Sequence, residues 1–204
     1  MQPENCWHCG HSPEASLFCR FCNTLQRPVP DYYRFLGLER KLHLDPNDLQ
    51  QRFYRMSRLL HPDRYHRRTP TERQYSLEAT AILNDAYRVL RDPVARAEYV
   101  LKELGFTSGE KRSKYVPPEL LEEVFDLNMA LEELRGGDAA VRPQLEDARK
   151  KLLVMLKETD AILDGIYLLF DQTGDHSVLV EIRVALDRRR YIQNLVREVE
   201  KELG

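Results

Sequence analysis

The sequence has no apolar run long enough to cross a membrane, which takes roughly 20 residues. Glycine is scarce, at 9 of 204 residues, and runs of β-branched residues are rare. Leucine, arginine, glutamate and alanine dominate instead, and all four are good helix formers. These shortages argue against membrane-spanning and β-rich folds. The sequence predicts an all-α protein without a membrane partner.

The N-terminus lacks the features of a targeting segment. "MQPENCWHCG" has neither the basic-then-apolar order of a signal peptide nor the arginine- and serine-rich composition of a transit peptide. We therefore expect a soluble protein of the reducing cytoplasm.

The chain also has little net charge. The formal net charge is -2, but it divides into zero over residues 1–30, +3 over 31–105 and -5 over 106–204. A nucleic-acid-binding protein is expected to be basic overall, and this chain is not, so no nucleic-acid partner is predicted. Positive charge is concentrated in six arginines, Arg52, Arg55, Arg58, Arg64, Arg67 and Arg68. This local patch fits an acidic protein surface better.

Two proline-containing linkers, "RPVP" and "TSGEKRSKYVPP", divide the chain. The predicted domains are a cysteine-bearing extension (1–30), a helical domain (31–105), a linker (106–116) and a C-terminal domain (117–204). The last contains three long helical patterns separated by "RGGD" and "QTGD", whose glycines can end one helix and whose aspartates can cap the next. Short loops between long helices predict an antiparallel three-helix bundle.

All four cysteines lie in the extension, as C-x₂-C, nine residues, then C-x₂-C: Cys6, Cys9, Cys19 and Cys22. Two such pairs complete a tetrahedral shell of four thiolates, which favours structural zinc, and iron fits the same shell. Two disulfides are the alternative, which a reducing compartment disfavours. The shell leaves no open position for water, and metal binding would fold a segment too short for a core.

The residue after each pair supports the metal interpretation. Gly10 and Asn23 are the residue types that best tolerate a left-handed backbone, which lets N–H groups turn towards the sulfurs. The neighbouring His8 and His11 are interpreted as bystanders because four thiolates are sufficient.

Two amphipathic helices dominate the second domain. The first has Asp45 as candidate N-cap and Pro46 at its first position, with apolar residues at 49, 53, 56 and 60. The second covers about 72–91, with apolar residues at 79, 83, 86 and 90. Both stripes have helical spacing, which predicts an antiparallel hairpin.

"HPD" stands between these helices. Pro62 cannot continue the first helix and disfavours helical backbone at His61, so the chain turns sharply. We expect His61 and Asp63 at an exposed corner, with Arg55 and Arg58 on the helix leading to it. An enzyme would need a nucleophile or a second acid nearby with a reason to be buried, and the sequence offers a solvated loop rich in arginine, so we do not expect an enzyme.

A basic amphipathic helix, "HPD" and an antiparallel partner helix resemble a J domain over about residues 31–105, including "DYYRFLGL" and "LNDAYRVLRDPVARAEYVL". With the acidic bundle and the cysteine extension, nearly the whole chain resembles the HscB family of J-type co-chaperones in iron–sulfur cluster assembly. The resemblance implies that His61, Pro62, Asp63, Arg55 and Arg58 contact a DnaK/HscA-type chaperone and stimulate its ATPase.

The same resemblance implies that Leu121, Phe125 and Tyr191 bind an IscU-type scaffold. The first bundle helix carries two apolar rows, one of Leu120, Val124, Leu127, Leu131 and Leu134, the other of Leu121, Phe125 and Met129. Because the rows are about 100° apart, the second is either a broad extension of the core or an exposed strip for a partner.

Three other interpretations stay open from the sequence. The first is a J-domain co-chaperone with an unrelated client. The second is a zinc-dependent nucleic-acid binder, and the last in preference is an enzyme acting through His61. Dimerisation of the chain is also open.

Overall fold

The computed structural model describes residues 5–12, 16–106 and 118–204. Over these ranges the chain forms seven α-helices and no strand, with an isolated antiparallel bridge between Phe18 and Leu25. The all-α prediction is confirmed. The helices are α1 (Tyr32–Leu36), α2 (Pro46–Leu60), α3 (Pro70–Leu90), α4 (Pro93–Glu103), α5 (Leu121–Arg135), α6 (Arg142–Thr173) and α7 (Val178–Leu203). Two compact units divide the chain, Met1–Arg96 and Ala97–Gly204.

The first unit is built on the antiparallel pair α2 and α3, which α1 contacts. The four apolar residues predicted for α3, Ala79, Leu83, Ala86 and Leu90, are all buried. On α2, Leu49 and Leu60 are buried, and the ring of Phe53 stacks on Tyr87 of α3 with centroids 4.3 Å apart. The expected hairpin is therefore present.

The helix starts follow local capping chemistry. Asp45 caps α2 by accepting from the N–H of Asn47 at 2.9 Å, and Pro46 occupies the first turn. Helix α3 begins two residues before the sequence prediction because Thr69 and Glu72 form a reciprocal capping box around Pro70. Glu72 is thus the third residue of the helix, and it is buried.

A buried arginine joins distant parts of the first unit. Arg96 is 6% exposed, and its Nε donates to the carbonyl of Leu42 at 2.8 Å. Its Nη1 donates to the carbonyl of Leu90 at the end of α3. Because a guanidinium carries five donors, one side chain satisfies two carbonyls left over at loop and helix ends.

In the second unit, α6 and α7 pack along each other and α5 contacts both. The buried core draws on all three helices and includes Leu127, Leu131, Leu145, Ile192 and Val199. Gly174, at a left-handed φ of 63°, ends α6 by donating its N–H to Phe170. These features agree with the predicted three-helix bundle.

Helix α6 begins at Arg142, three residues later than the sequence suggested. Asp138 caps a turn of 3₁₀ helix, Ala139–Val141, through the N–H of Ala140 at 2.9 Å. Pro143 in the first turn of α6 then fixes where the α-helix starts.

Candidate functional site

The four cysteine sulfurs converge within 4.8 Å of one another. Cys6 Sγ lies 3.6 Å from Cys22 Sγ, and Cys9 Sγ lies 3.7 Å from Cys19 Sγ. Sulfurs held about 2.3 Å from one metal ion at tetrahedral angles are about 3.8 Å apart. All four cysteines are free, and these separations are far longer than a disulfide bond of about 2.05 Å. The donor set therefore fits a metal ion with four thiolate ligands.

Two backbone turns bring the sulfurs together, and both use the residues that the sequence indicated. Gly10 has φ 76° and Asn23 has φ 55°. The N–H of Gly10 donates to Cys6 O at 2.9 Å, and the N–H of Asn23 donates to Cys19 O at 2.7 Å. Only residues tolerant of the left-handed region close such turns without strain.

The thiols have strongly divergent acidities. Hydrogen bonding to the hydroxyl of Thr24 lowers the pKa of Cys22 to about 5. The main-chain N–H of His11 favours the Cys9 thiolate, but burial and the three neighbouring sulfurs outweigh it and raise the pKa of Cys9 to about 12. Four ionised sulfurs this close together need a compensating positive charge, which a metal ion bound among them would supply.

The two histidines of the extension lie outside the sulfur cluster found among the described residues. Both are exposed, and the ring of His11 stacks on Phe21 at 4.5 Å. Trp7 lies between the first two cysteines. Its Nε1 donates to Leu25 O at 2.8 Å, and its ring meets Tyr75 of α3 edge-on at 6.3 Å. The extension is therefore in contact with the helical hairpin of the same unit.

The proline corner has the geometry expected from the sequence. Helix α2 ends at the fully buried Leu60, and His61 leaves it with φ -54° and ψ 128°. Pro62 then opens a single 3₁₀ turn, Pro62–Tyr65. The side chains of His61 and Asp63 are 56% and 90% exposed. The bend thus presents an imidazole and a carboxylate to solvent.

Local hydrogen bonds organise this corner. The N–H of Asp63 lies 3.3 Å from His61 Nδ1, and the same nitrogen lies 3.6 Å from Asp63 Oδ2. His66 Nδ1 lies 2.6 Å from the carbonyl of Asp63 and donates to it. The local contacts of His61 therefore use its Nδ1, and its Nε2 is available to a partner.

The arginines around the corner are not equivalent. Arg55 and Arg58 are exposed on α2, and Arg64, Arg67 and Arg68 are exposed after it. Arg52, in contrast, bonds Asp48 at 2.8 Å and the carbonyl of Gly37 after α1. The exposed members form a basic face, whereas Arg52 holds α1 and α2 together.

The two apolar rows of α5 have different surroundings. Leu120, Leu127 and Leu131 are buried, whereas Leu121, Phe125 and Met129 are 55%, 65% and 49% exposed. The second row is therefore an exposed apolar strip rather than a widening of the core. Tyr191 on α7 is partly buried against the bundle core, and that burial raises its pKa.

Sequence reasoning missed the side chains that hold the end of α2. The carbonyl of Leu60 accepts from Ser76 Oγ at 2.7 Å and Thr80 Oγ1 at 3.2 Å, both on α3. The carbonyl of Leu59 accepts from the hydroxyl of Tyr65 at 3.2 Å. The signal available in the sequence was the i, i+4 pair of hydroxyls on the face of α3 that also carries Ala79 and Leu83.

Known proteins share this architecture. The DnaJ domain family matches residues 31–99. The iron-sulfur cluster co-chaperone protein HscB of Mus musculus is 30% identical over 95% of this chain and 80% of its own length. The co-chaperone protein HscB homolog of Bordetella pertussis is 30% identical over 72% of this chain and 82% of its own.

Solved structures agree with the sequence relatives. The crystal structure of human co-chaperone protein HscB has a TM-score of 0.73 and 28% identity, covering 97% of each chain. Chaperone HscB from Vibrio cholerae has a TM-score of 0.60 and 26% identity, covering 83% of this chain and 95% of that one. None of the described helices is long and apolar enough to span a bilayer. The chain, with its J domain and its cluster of four cysteines, belongs to the HscB family of iron–sulfur cluster co-chaperones.

Proposed function

We propose that this protein binds a DnaK/HscA-type chaperone, stimulates its ATP hydrolysis and delivers an IscU-type scaffold to it. The observation that carries the proposal is the exposure of His61 and Asp63 at a proline-fixed corner, inside the stretch that matches the DnaJ domain. The relative from Mus musculus is named as an iron-sulfur cluster co-chaperone, which suggests the class of client.

The chaperone contact would combine shape and charge. Pro62 fixes the corner, His61 and Asp63 offer a donor and an acceptor, and Arg55 and Arg58 face an acidic surface on the partner. Such binding changes the hydrolysis rate only if it favours one chaperone conformation over another. The co-chaperone itself performs no covalent chemistry in this mechanism.

The scaffold contact would use the exposed strip on α5. Leu121 and Phe125 are both more than half exposed, although side chains of this size are usually buried. Complete burial of a fully exposed apolar side chain is worth roughly 1.5–3 kcal/mol, so covering the exposed part of each against a partner gains about half of that or somewhat more. Tyr191 would add a contact from α7.

The cysteine extension would hold one structural zinc ion through Cys6, Cys9, Cys19 and Cys22. The bound ion would supply the positive charge that keeps four thiolates together and most of the folding free energy of the extension. Iron is the second candidate because it accepts the same ligands. We also propose the domain limits 1–30, 31–105, 106–116 and 117–204, of which the linker lies almost entirely outside the described residues.

The test is the steady-state ATPase rate of candidate DnaK/HscA-type chaperones, measured with this chain, with an IscU-type scaffold, and with both. The proposal predicts stimulation by the chain and a rate with both proteins that exceeds the product of the separate enhancements. Stimulation that the scaffold does not increase would instead support a J-domain co-chaperone with another client. No stimulation of any such chaperone would reject the proposal.

A further inference from the structure

The end of α2 carries carbonyl groups that the helix cannot satisfy. The last four carbonyls of an α-helix have no N–H partner within the helix. Pro62 removes one further possible donor, because proline has no N–H to offer to the preceding turn. Leu60 is 0% exposed, so water does not reach the last residue of the helix to donate a hydrogen bond to its carbonyl.

Side chains satisfy these carbonyls one by one. The Leu60 carbonyl accepts two hydroxyl groups from α3, Ser76 Oγ at 2.7 Å and Thr80 Oγ1 at 3.2 Å. The Leu59 carbonyl accepts the hydroxyl of Tyr65 at 3.2 Å, and the Arg58 carbonyl accepts Nη1 of Arg64 at 3.3 Å. Three consecutive carbonyls are thus held by groups outside the helix.

The position of these bonds matters for the corner. The carbonyl of Leu60 and the N–H of His61 belong to one planar peptide unit. Fixing the carbonyl from α3 therefore fixes the plane from which His61 leaves the helix. Pro62 restricts its own φ, but it does not set the orientation of the peptide plane before His61. The hydroxyls supply the constraint that proline lacks.

Burial makes the constraint strong. Ser76 is 0% exposed and Tyr65 is 8% exposed. The bond from Ser76 to Leu60 is buried and has little competition from water, so removing the donors to Leu60 leaves a buried carbonyl unsatisfied. The bond from Tyr65 to Leu59 is only partly buried. Burial also raises the pKa of Tyr65, whose hydroxyl is in any case a donor at neutral pH.

We propose that Ser76, Thr80 and Tyr65 are positioning residues, whose hydroxyls hold the His61–Asp63 corner in the orientation that a chaperone recognises. The proposal deepens the function proposed above and rests on it. A purely stabilising set of hydrogen bonds would affect unfolding alone. A positioning set also changes how effectively a correctly folded chain stimulates the chaperone.

The test uses two variants and one matched control, all in the full-length chain. Ser76→Ala with Thr80→Val removes both donors to Leu60 with little change in volume. Tyr65→Phe removes the donor to Leu59 and keeps the buried ring, so it carries the test if the double variant does not fold. Thr159→Ala is the control, since Thr159 is 1% exposed and donates to the carbonyl of Met155 at 2.8 Å within α6.

Two readouts separate positioning from stability. The first is chaperone ATPase rate against co-chaperone concentration, which gives the maximal stimulation and the half-saturating concentration separately. The second is amide hydrogen exchange at Asp63 and Arg64, which needs no chaperone. We expect the double variant, which loses two hydrogen bonds, to show at least about five-fold lower maximal stimulation, the factor that one hydrogen bond of ordinary strength would give. We also expect faster exchange at both amides. The control should match wild type in both readouts while melting at a lower temperature.

Undiminished maximal stimulation by both test variants would overturn the positioning role, whether or not exchange becomes faster. An equal loss of stimulation in Thr159→Ala would also overturn it, because the effect would then follow stability alone. If the wild-type chain stimulates no chaperone, the proposed function itself fails. Amide exchange then shows whether the hydroxyls restrain the corner, and unchanged exchange in both variants would reject that restraint as well.

Discussion

At the scale of single residues, the side chains of the proline corner have two different roles: some hold the bend in place, and others are exposed to solvent. Pro62 ends α2, and the buried Leu60 anchors its last turn. His61 and Asp63 then extend into solvent and make only local contacts within the 3₁₀ turn. Exposed polar side chains of this kind add little to stability, so their substitution tests recognition.

Asp63→Asn should abolish stimulation of the chaperone and leave the fold unchanged. The substitution removes a charge from a side chain that is 90% exposed, so we expect the melting temperature to move by less than about 2 °C. Stimulated ATPase rates and thermal melts measure the two effects. Asp85→Asn is the matched control, because Asp85 is also exposed and pairs with Arg88 on α3. Full stimulation by Asp63→Asn would exclude a role for this carboxylate.

Sequence patterns identified residues whose chemistry is local. Gly10 and Asn23 were predictable because a left-handed backbone excludes most other side chains. Ser76 and Thr80 were not, because a hydroxyl inside a helix gives no sign of which distant carbonyl it meets. Their target lies on α2, 16 and 20 residues earlier in the chain.

At the scale of elements, helix ends were predicted where one residue decides them. Asp45 with Pro46 and the left-handed Gly174 are such cases. The start of α6 was predicted three residues too early. A capping aspartate can precede a 3₁₀ turn as well as an α-helical one, and Asp138 caps a 3₁₀ turn. The exposure of one α5 row could not be predicted, because both rows are apolar and only packing against α6 and α7 decides between them.

The exposed strip leads to a prediction about binding. Leu121→Ala with Phe125→Ala should weaken scaffold binding by at least ten-fold, since roughly 1.4 kcal/mol is enough for that change. The melting temperature should change little, because both side chains are more than half exposed. Isothermal titration calorimetry and thermal melts give the two quantities.

The neighbouring residue provides the contrast for this experiment. Leu120 is 1% exposed, and Leu120→Ala should destabilise the bundle by about 2–5 kcal/mol. A large loss of stability with unchanged scaffold affinity in the Leu121 and Phe125 variant would show that the strip serves the core.

The cysteine extension is the element whose fold we propose to depend on a bound metal ion. Removing the metal with a chelator should unfold the extension and leave the helices intact, because α2 to α7 have apolar cores of their own. Trp7 is the only tryptophan, and its contacts with Leu25 and Tyr75 make its fluorescence a local reporter. We expect a red-shifted emission with nearly unchanged helical circular dichroism. An unchanged emission after verified metal loss would contradict this account.

At the scale of the whole molecule, charge is divided along the chain. Residues 31–105 carry +3 and residues 106–204 carry -5. Exposed arginines on and after α2 should speed association with an acidic chaperone surface, and salt screens such attraction. The half-saturating concentration for ATPase stimulation should therefore rise several-fold between about 50 and 300 mM salt, with a smaller change in maximal stimulation. An unchanged half-saturating concentration would exclude an electrostatic contribution.

The most direct test of the central claim is a single-turnover measurement of ATP hydrolysis by a DnaK/HscA-type chaperone. The wild-type chain should accelerate the turnover, the scaffold should increase that acceleration, and Asp63→Asn should remove it at every concentration of scaffold. A rate that stays at the basal value with the wild-type chain and scaffold both at saturation would contradict the account.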